Sequence, residues 1–259
     1  MSALNPLSTA SVAVHAARTL TRELEQRILT PAVEAVAGDG RRQRWEHHKQ
    51  TRRVELTSGT VDAIRNLGPS AGMDEIAAHI GVSKTVLYRY FADKNDLAAA
   101  VTVTYMESTL LPLLTDVLTD DLADYDLVRT IIGVFVDTVA DDPNVYVFTT
   151  GRSAGSSAAY TERIFTGAVQ STMEQRLAAR GAQVDGARTW ATAIVGGIIR
   201  AVDGWIATRD IPAAQLVDEL TMMIWSSLVG IAKWSGDPAA FAADPPPMPG
   251  SAQDRPTAP

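Results

Sequence analysis

The chain has 259 residues, of which 46% are hydrophobic and 20% are charged, a composition typical of a globular protein with one or two domains. Because the sequence contains no cysteine, it excludes disulfides, cysteine-containing zinc sites, iron–sulfur clusters and thiol catalysis. No stretch approaches the roughly 18 consecutive apolar residues of a membrane span, and the first residues lack the basic region of a signal peptide. We therefore expect a cytoplasmic protein without membrane contact.

Charge is distributed unevenly along the chain. The formal net charge is −7, yet residues 41–105 carry ten basic and seven acidic residues, whereas residues 106–259 carry ten basic and nineteen acidic ones. The densest basic run, interrupted by Glu46, consists of Arg41, Arg42, Arg44, Lys49, Arg52 and Arg53. Such a run on an acidic protein indicates either a phosphate-binding surface or a solvated helix face, and charge alone favours the solvated face.

Helical periodicity runs through the whole sequence, while the alternating pattern of strands is nearly absent. Residues 1–40 form a partly helical extension in this interpretation, ending at a glycine-rich break. A helix is then predicted over 45–67, and Gly68-Pro69 ends it. Its predicted buried face comprises Val54, Val61, Ile64 and Leu67. The pattern predicts an all-α protein.

Two short helices follow, Met73–Ile80 and Lys84–Phe91, joined by the turn Gly81-Val82-Ser83. Glycine permits a sharp turn and serine is a good N-cap, so the segment has the plan of a helix-turn-helix. Leu87 and Phe91 would be buried. The outer face then carries hydrogen-bond donors and aromatic rings suited to phosphates and base edges, namely Lys84, Thr85, Tyr88 and Arg89, with Tyr90 on its flank. An ordinary helical hairpin with a polar outer face would show the same pattern.

The rest of the chain is predicted to be helical until its proline-rich end. Asp93 would cap a helix that continues to Leu118 with a kink at Pro112. Further helices are predicted at 126–141, 143–149, 157–180, 185–208 and 212–234. From Asp237 the sequence is rich in proline and alanine, which predicts a disordered tail over 237–259.

The segment 73–97 resembles the DNA-binding domain of the TetR family of bacterial transcriptional regulators. The matching elements are Ile76-Ala77, Gly81-Val82-Ser83, Leu87-Tyr88-Arg89-Tyr90-Phe91, Lys94 and Leu97. The resemblance implies a three-helix DNA-binding domain at 41–105. It also implies a helical ligand-binding and dimerisation domain at 106–236.

The resemblance also implies which residues contact DNA. Positions that face bases or the nearby backbone are matched by Lys84, Thr85, Val86 and Arg89, and phosphate-contacting positions by Tyr88, Tyr90 and Lys94. Arg52 and Arg53 lie where the family often carries basic residues. The chain departs from the family at Gly72, where threonine is common, and Gly68–Gly72 looks one residue short. Both departures weaken the expectation of one backbone contact at the start of the second helix.

In this family the C-terminal helices form a ligand chamber and a dimer interface. We expect the helices at 185–208 and 212–234 to form the interface as a four-helix bundle, with a monomeric core as the alternative. The candidate chamber residues are Phe135, Phe148, Phe165, Met173, Trp190 and Trp205, although each taken singly is more readily explained as core. Arg200 either pairs with Asp203 or contacts the polar head of a ligand. The composition favours an apolar or amphipathic effector.

The function expected from these observations is a dimeric, ligand-responsive repressor that a small effector releases from a near-palindromic DNA operator. One alternative is an activator or constitutive DNA binder without an effector, and another is an α-helical small-molecule carrier or enzyme. The four histidines do not form a helical metal-binding pair. Motifs of a nucleophile elbow or a phosphate loop are missing, so we expect no enzymatic activity, no metal and no cofactor.

Overall fold

The computed structural model describes residues 40–110, 112–113, 122–151 and 155–246, with the side chains of 40–47 and several between 155 and 164 left out. Within these residues the backbone forms ten α-helices and one π-helical turn, without any strand. This confirms the all-α prediction. The predicted extension over residues 1–39 lies outside the described residues, as does the tail from residue 247 onward.

The elements follow one another in this order: α1 Gly40–Leu67, α2 Met73–His79, α3 Lys84–Tyr90, α4 Lys94–Tyr105, a π-helical turn Met106–Leu110, α5 Asp124–Asp141, α6 Pro143–Thr150, α7 Gly155–Ala178, α8 Ala187–Thr208, α9 Ala213–Lys233 and α10 Pro238–Ala243. Helices α5 to α9 begin and end within about two residues of the predicted ranges.

The first hydrophobic cluster holds the N-terminal helices together. It joins Ile64 of α1, Ile76 of α2, Leu87 of α3 and Val101 of α4, all fully buried. Val145 and Phe148 of α6 complete the same cluster. Because one core contains side chains from both parts of the chain, the N-terminal helices are packed directly onto the C-terminal body.

The C-terminal body is built from two helix pairs. Helix α9 packs on α5, and α8 packs on α7. A second cluster includes Val136, Val202 and Leu220, and a smaller third cluster includes Met173 and Ala191. Ile194 and Leu228 are half-buried and border both clusters, so they link the two halves of the body.

The buried face of α1 agrees with the predicted one at Val61 and Ile64 and differs at its other positions. Val54 and Leu67 are exposed, whereas Leu56, Thr57 and Thr60 are buried. The two threonines satisfy their hydroxyls by donating to backbone carbonyls one turn earlier in α1, at 2.8 and 2.7 Å. A polar side chain that is hydrogen-bonded to the backbone of its own helix can face a core. An apolar pattern in the sequence therefore does not reveal these two threonines.

The helix predicted from Asp93 to Leu118 is described up to Leu110 and again at residues 112–113, and it is not a regular α-helix throughout. The α-helical part ends at Tyr105 and the chain continues as the π-helical turn Met106–Leu110. Pro112 has no N–H for the carbonyl of Ser108, and its ring would crowd that carbonyl in a regular α-helix. The helix is therefore distorted in the turn that precedes Pro112, Met106–Leu110, where the sequence predicted a kink at the proline itself. Residues 111 and 114–121 lie outside the described residues.

The predicted disordered tail begins with a helix instead. The side chain of Asp237 accepts a hydrogen bond from the Ala239 N–H at 2.8 Å and caps α10. Pro238 occupies the first helical position, where its missing N–H costs nothing. Phe241 contacts Trp234 edge to face, with ring centroids 5.1 Å apart. A cap and one aromatic contact thus order residues 238–243.

Helix α8 corrects a further expectation. By length and composition it could cross a membrane. Only 22% of its most apolar 18-residue segment is buried inside the chain. The prediction that no stretch of the chain approaches the length and apolar composition of a membrane span was therefore wrong. Helices that pack in a protein core or between subunits meet the same criterion, so length and composition by themselves are weak evidence for a membrane span.

Candidate nucleic-acid interface

The turn between α2 and α3 has the geometry that the sequence predicts. Gly81 has a φ of +71°, a conformation that favours glycine. The Val82 N–H donates to the Ala77 carbonyl at 2.9 Å, which closes the turn. Ser83 caps α3, since its Oγ accepts from the Val86 N–H at 3.3 Å. These bonds fix the direction in which α3 leaves α2.

Helix α3 has one buried and one exposed face. Leu87 and Phe91, the residue directly after the helix, are fully buried in the first cluster. The opposite side forms an open hollow of about 610 Å³ lined by Ser83, Lys84, Thr85, Val86, Tyr88 and Arg89. The structure thus brings the predicted base-facing residues together on one solvent-facing surface, with Tyr90 half-buried at its edge.

Two cations on this surface are held by neighbouring side chains. Lys84 Nζ lies 2.8 Å from Asp74 Oδ1 of α2, and this hydrogen bond raises the pKa of the lysine. The Arg89 guanidinium lies 5.3 Å from the centroid of the Tyr90 ring. Both groups remain exposed. The surface therefore offers an ammonium, a guanidinium and a phenol to a ligand.

The start of α2 compensates for the departure at Gly72. The Gly72 N–H donates to Glu75 Oε2 at 2.8 Å, so the glutamate satisfies a backbone donor at the helix start. No side chain at position 72 caps the helix.

The structure revises the role predicted for Arg53 as a DNA contact. Its side chain is only 14% exposed, and the guanidinium pairs with Asp96 and donates to the Tyr90 carbonyl. It also lies 4.3 Å from the centroid of the Phe91 ring. A guanidinium enclosed in this way is not available to a phosphate.

The other predicted phosphate contacts differ in their surroundings. Arg52 is exposed and forms an ion pair with Glu55 at 2.7 Å. Lys94 is half-buried, donates to the Ser70 carbonyl at 3.2 Å and lies over the Phe148 ring. Arg41, Arg42 and Arg44 lie on α1, and their side chains are outside the described ones.

A polar junction that the sequence did not reveal joins α1 to the C-terminal body. Arg65 Nε and Nη2 donate to the two carboxylate oxygens of Asp142, both at 2.7 Å. The Tyr105 hydroxyl donates to Asp142 Oδ2 at 3.0 Å. The Arg65 hydrogen bonds lower the pKa of the Asp142 carboxyl, and burial raises the pKa of Tyr105. Three elements thus meet at one carboxylate.

The candidate effector residues do not form one group. Phe135 and Trp205 belong to the second cluster, Met173 and Trp190 to the third, and Phe148 to the first. Phe148 is thereby removed from the predicted chamber, because it packs under the DNA-binding helices. Phe165 is half-buried on α7.

Arg200 is not a chamber residue in this structure. Its side chain is 84% exposed and pairs with Asp203 at 3.3 Å, the first of the two roles considered for it. Asp203 also accepts a hydrogen bond from the Tyr146 hydroxyl at 2.7 Å. Because Tyr146 is buried and Asp203 is half-buried, this hydrogen bond places a polar pair at the edge of the second cluster.

Comparisons with known proteins agree with this geometry. Residues 60–101 match the family model of bacterial regulatory proteins of the tetR family, and residues 113–240 match a tetracyclin repressor-like C-terminal domain. Uncharacterized HTH-type transcriptional regulators from two Mycobacterium tuberculosis strains, CDC 1551 / Oshkosh and H37Rv, are each 43% identical over 222 residues. Each match covers 85% of this chain and 94% of the relative.

Solved structures share the fold at low sequence identity. The fatty acid degradation regulator FadR from Bacillus halodurans is 14% identical, with a TM-score of 0.55 over 67% of this chain and 94% of that chain. A tetR-family transcriptional regulator from Streptomyces coelicolor is 17% identical, with a TM-score of 0.53 over 74% and 92%. Together with the exposed face of α3, the two family models and the relatives at 43% identity show that the chain belongs to the TetR family of DNA-binding transcriptional regulators.

Proposed function

We propose that the protein represses transcription by binding a near-palindromic operator with α3 in the major groove. The observation that carries this proposal is the division of α3 into a buried face and a donor-rich exposed face. Lys84, Thr85, Val86 and Arg89 contact bases or the adjoining backbone, and Tyr88 and Tyr90 contact phosphates. Lys94 and Arg52 contribute positive charge at the edge of the site.

The operator is bound by two copies of the chain. Helix α8 is strongly apolar but little buried within one chain, and α9 exposes Met222, Met223 and Val229, with 68% of Met222 accessible to solvent. A large apolar surface of this kind is typical of a subunit interface. A second copy that covers α8 and α9 would produce two-fold symmetry, so the half-sites should be about 34–36 Å apart.

An apolar or amphipathic effector controls the affinity for DNA. Phe135 on α5, Phe165 on α7 and Trp190 on α8 are half-buried rather than buried. Gly133 on α5 is also half-buried, and a Cβ added there would meet no atom within 4 Å. This incomplete packing supports effector binding within the C-terminal body, where Phe135 borders the second cluster and Trp190 the third. The ligand lowers operator affinity by binding preferentially to the conformation that fits DNA less well.

Selection of duplexes from a random pool with the full-length chain tests the DNA-binding proposal. We expect an enriched, near-palindromic sequence whose half-sites lie one helical turn apart. Enrichment of no sequence at low salt would contradict sequence-specific binding, and enrichment of a single half-site would contradict the symmetric arrangement.

Transcription in vitro from a promoter that carries the selected operator tests repression. We expect transcript levels to fall when the protein is added and to recover with an acyl thioester, a fatty acid or an aromatic compound. Tryptophan emission should change with the same ligand, because Trp205 and Trp190 lie in the second and third clusters of the body that is proposed to bind it. Increased transcription would instead identify an activator, and recovery only with small, strongly polar compounds would contradict the apolar chamber.

A further inference from the structure

The C-terminal end of α3 is held by one arginine from α1. Arg53 Nη2 lies 2.5 Å from Asp96 Oδ1, and Nη1 donates to the Tyr90 carbonyl. Its guanidinium also covers the ring of Phe91. These contacts span three helices, since Arg53 lies on α1, Tyr90 ends α3 and Asp96 is in the first turn of α4.

Asp96 extends this contact to the backbone between α3 and α4. Its Oδ2 accepts a hydrogen bond from the Ala92 N–H at 2.9 Å, while its own N–H donates to Asp93 Oδ1 at 2.9 Å. The carboxylate therefore binds the arginine with one oxygen and the linker with the other. Arg53, Asp96 and Tyr90 are called the α3 anchor below.

Helix α3 depends on such an anchor because it is short. It has seven residues, too few for a stable isolated helix. Its last carbonyls have no partner within the helix, and a cation at a helix C-terminus is favourable. Ser83 caps the N-terminal end, and Arg53 holds the C-terminal end together with the buried ring of Phe91.

We infer that Arg53 is a positioning residue that sets the orientation of α3 and thereby the base preference of the protein, without contacting phosphate itself. The inference rests on the proposed role of α3 in reading DNA. Bidentate base contacts require accurate geometry, so a looser helix should lose affinity for the operator more than for random DNA.

The salt dependence of binding separates positioning from phosphate contact. A lysine or arginine that neutralises a phosphate adds about 0.9 to the slope of log affinity against log salt concentration. A positioning residue adds nothing to this slope. Asp96 gives an independent check, because a carboxylate that bound near phosphates would oppose binding, whereas an anchoring carboxylate supports it.

The experiment compares full-length wild type with Arg53→Ala, Arg53→Lys and Asp96→Asn on the selected operator and on a random duplex over a salt series. We expect Arg53→Ala and Asp96→Asn each to reduce the ratio of operator to random affinity about tenfold with an unchanged salt slope. The double variant Arg53→Ala/Asp96→Asn should lose less than the product of the two single losses, because both changes remove the ion pair that the two residues share. Arg53→Lys should retain part of the ratio of operator to random affinity, because lysine keeps the positive charge.

Arg52→Ala is the matched control, because Arg52 is the adjacent, exposed arginine and is not part of the α3 anchor. We expect it to weaken binding to both duplexes equally and to lower the salt slope, so that the ratio of operator to random affinity stays the same. Thermal unfolding of every variant verifies that the molecules compared are folded. If Arg53→Ala instead lowered the salt slope by about 0.9 and weakened binding to both duplexes equally, Arg53 would be a phosphate contact. That result would overturn the inference.

Amide hydrogen exchange tests the α3 anchor without DNA. We expect Arg53→Ala and Asp96→Asn to speed exchange about tenfold at Phe91 and Ala92, while α8 and α9 exchange as in the wild type. Unchanged exchange at these two amides would overturn the inference. If the wild type selects no duplex but exchange changes as expected, the proposed function fails while the anchor itself stands.

Discussion

Arg89 is the exposed guanidinium on the outer face of α3, and a planar guanidinium can bind two acceptors of a guanine at once. We expect Arg89→Ala to relax the preference at one base pair of each half-site by about 1–3 kcal/mol. Competition between the selected operator and duplexes with single base-pair changes measures this preference.

Arg129→Ala is the control for Arg89→Ala, because Arg129 is an exposed arginine on α5 that pairs with Asp218. It should leave every preference intact. If Arg89→Ala weakened all duplexes equally and lowered the salt slope, Arg89 would be a phosphate contact rather than a base contact.

At the residue scale, the sequence predicted the exposed residues of α3 better than their partners. Helical periodicity places Lys84, Thr85 and Arg89 on one face, which the structure confirms. Arg53 and Asp96 are 43 residues apart, and no local pattern indicates that they meet. The sequence therefore groups Arg53 with the basic run, although burial against Phe91 gives it a different role.

The polar junction between α1 and α6 connects the DNA-binding helices to the body. Hydrogen bonds from Arg65 lower the pKa of Asp142. A group whose pKa is lower in the folded state stabilises the fold above its unfolded pKa of about 3.9, and this contribution is lost as the pH falls through the folded pKa. We expect Asp142→Asn to lower the free energy of unfolding at pH 7 by about 1 kcal/mol, a modest value because Arg65 is partly exposed.

Urea unfolding at pH 7 and near pH 3 measures this contribution. The difference between wild type and Asp142→Asn should be present at pH 7 and shrink at the lower pH. Asp218→Asn is the control, because Asp218 forms an exposed ion pair within the body. An equal difference at both pH values would show that Asp142 acts through packing rather than charge.

At the element scale, the sequence predicted helix caps and turns correctly. It did not predict which residues pack between helices that are distant in the sequence. Ser83, Asp93 and Gly81 each act as their residue type predicts, since a cap or a positive φ depends on the nearest residues. The buried face of α1 depends on contacts with α4 and α6. Its threonines carry no apolar signal, so their burial could not be read from periodicity. The helix α10 likewise depends on the contact between Phe241 and Trp234.

The proposed dimer interface can be tested at Gly197 of α8. A Cβ added at this glycine would meet no atom within 4 Å in a single chain, so a larger side chain should not disturb the fold of one subunit. In a dimer with closely packed α8 helices it would separate the subunits. We expect Gly197→Leu to be a folded monomer at micromolar concentration, measured by sedimentation and circular dichroism.

Gly167→Leu is the matched control, because Gly167 lies on α7 and a Cβ there also meets no atom within 4 Å. It should remain dimeric like the wild type. A dimeric Gly197→Leu would place the interface elsewhere on the molecule, and a monomeric wild type would contradict the dimer proposal itself.

The proposed dimer interface on α8 and α9 has a genetic consequence, because every copy of the chain would present the same surface to its partner. A variant defective only in α3, such as Arg89→Ala, would still pair with wild-type chains. At equal expression about one quarter of the dimers would then contain two intact DNA-reading helices, by random pairing. Defects in α3 should therefore be dominant in cells that carry both alleles, whereas defects that abolish pairing should be recessive.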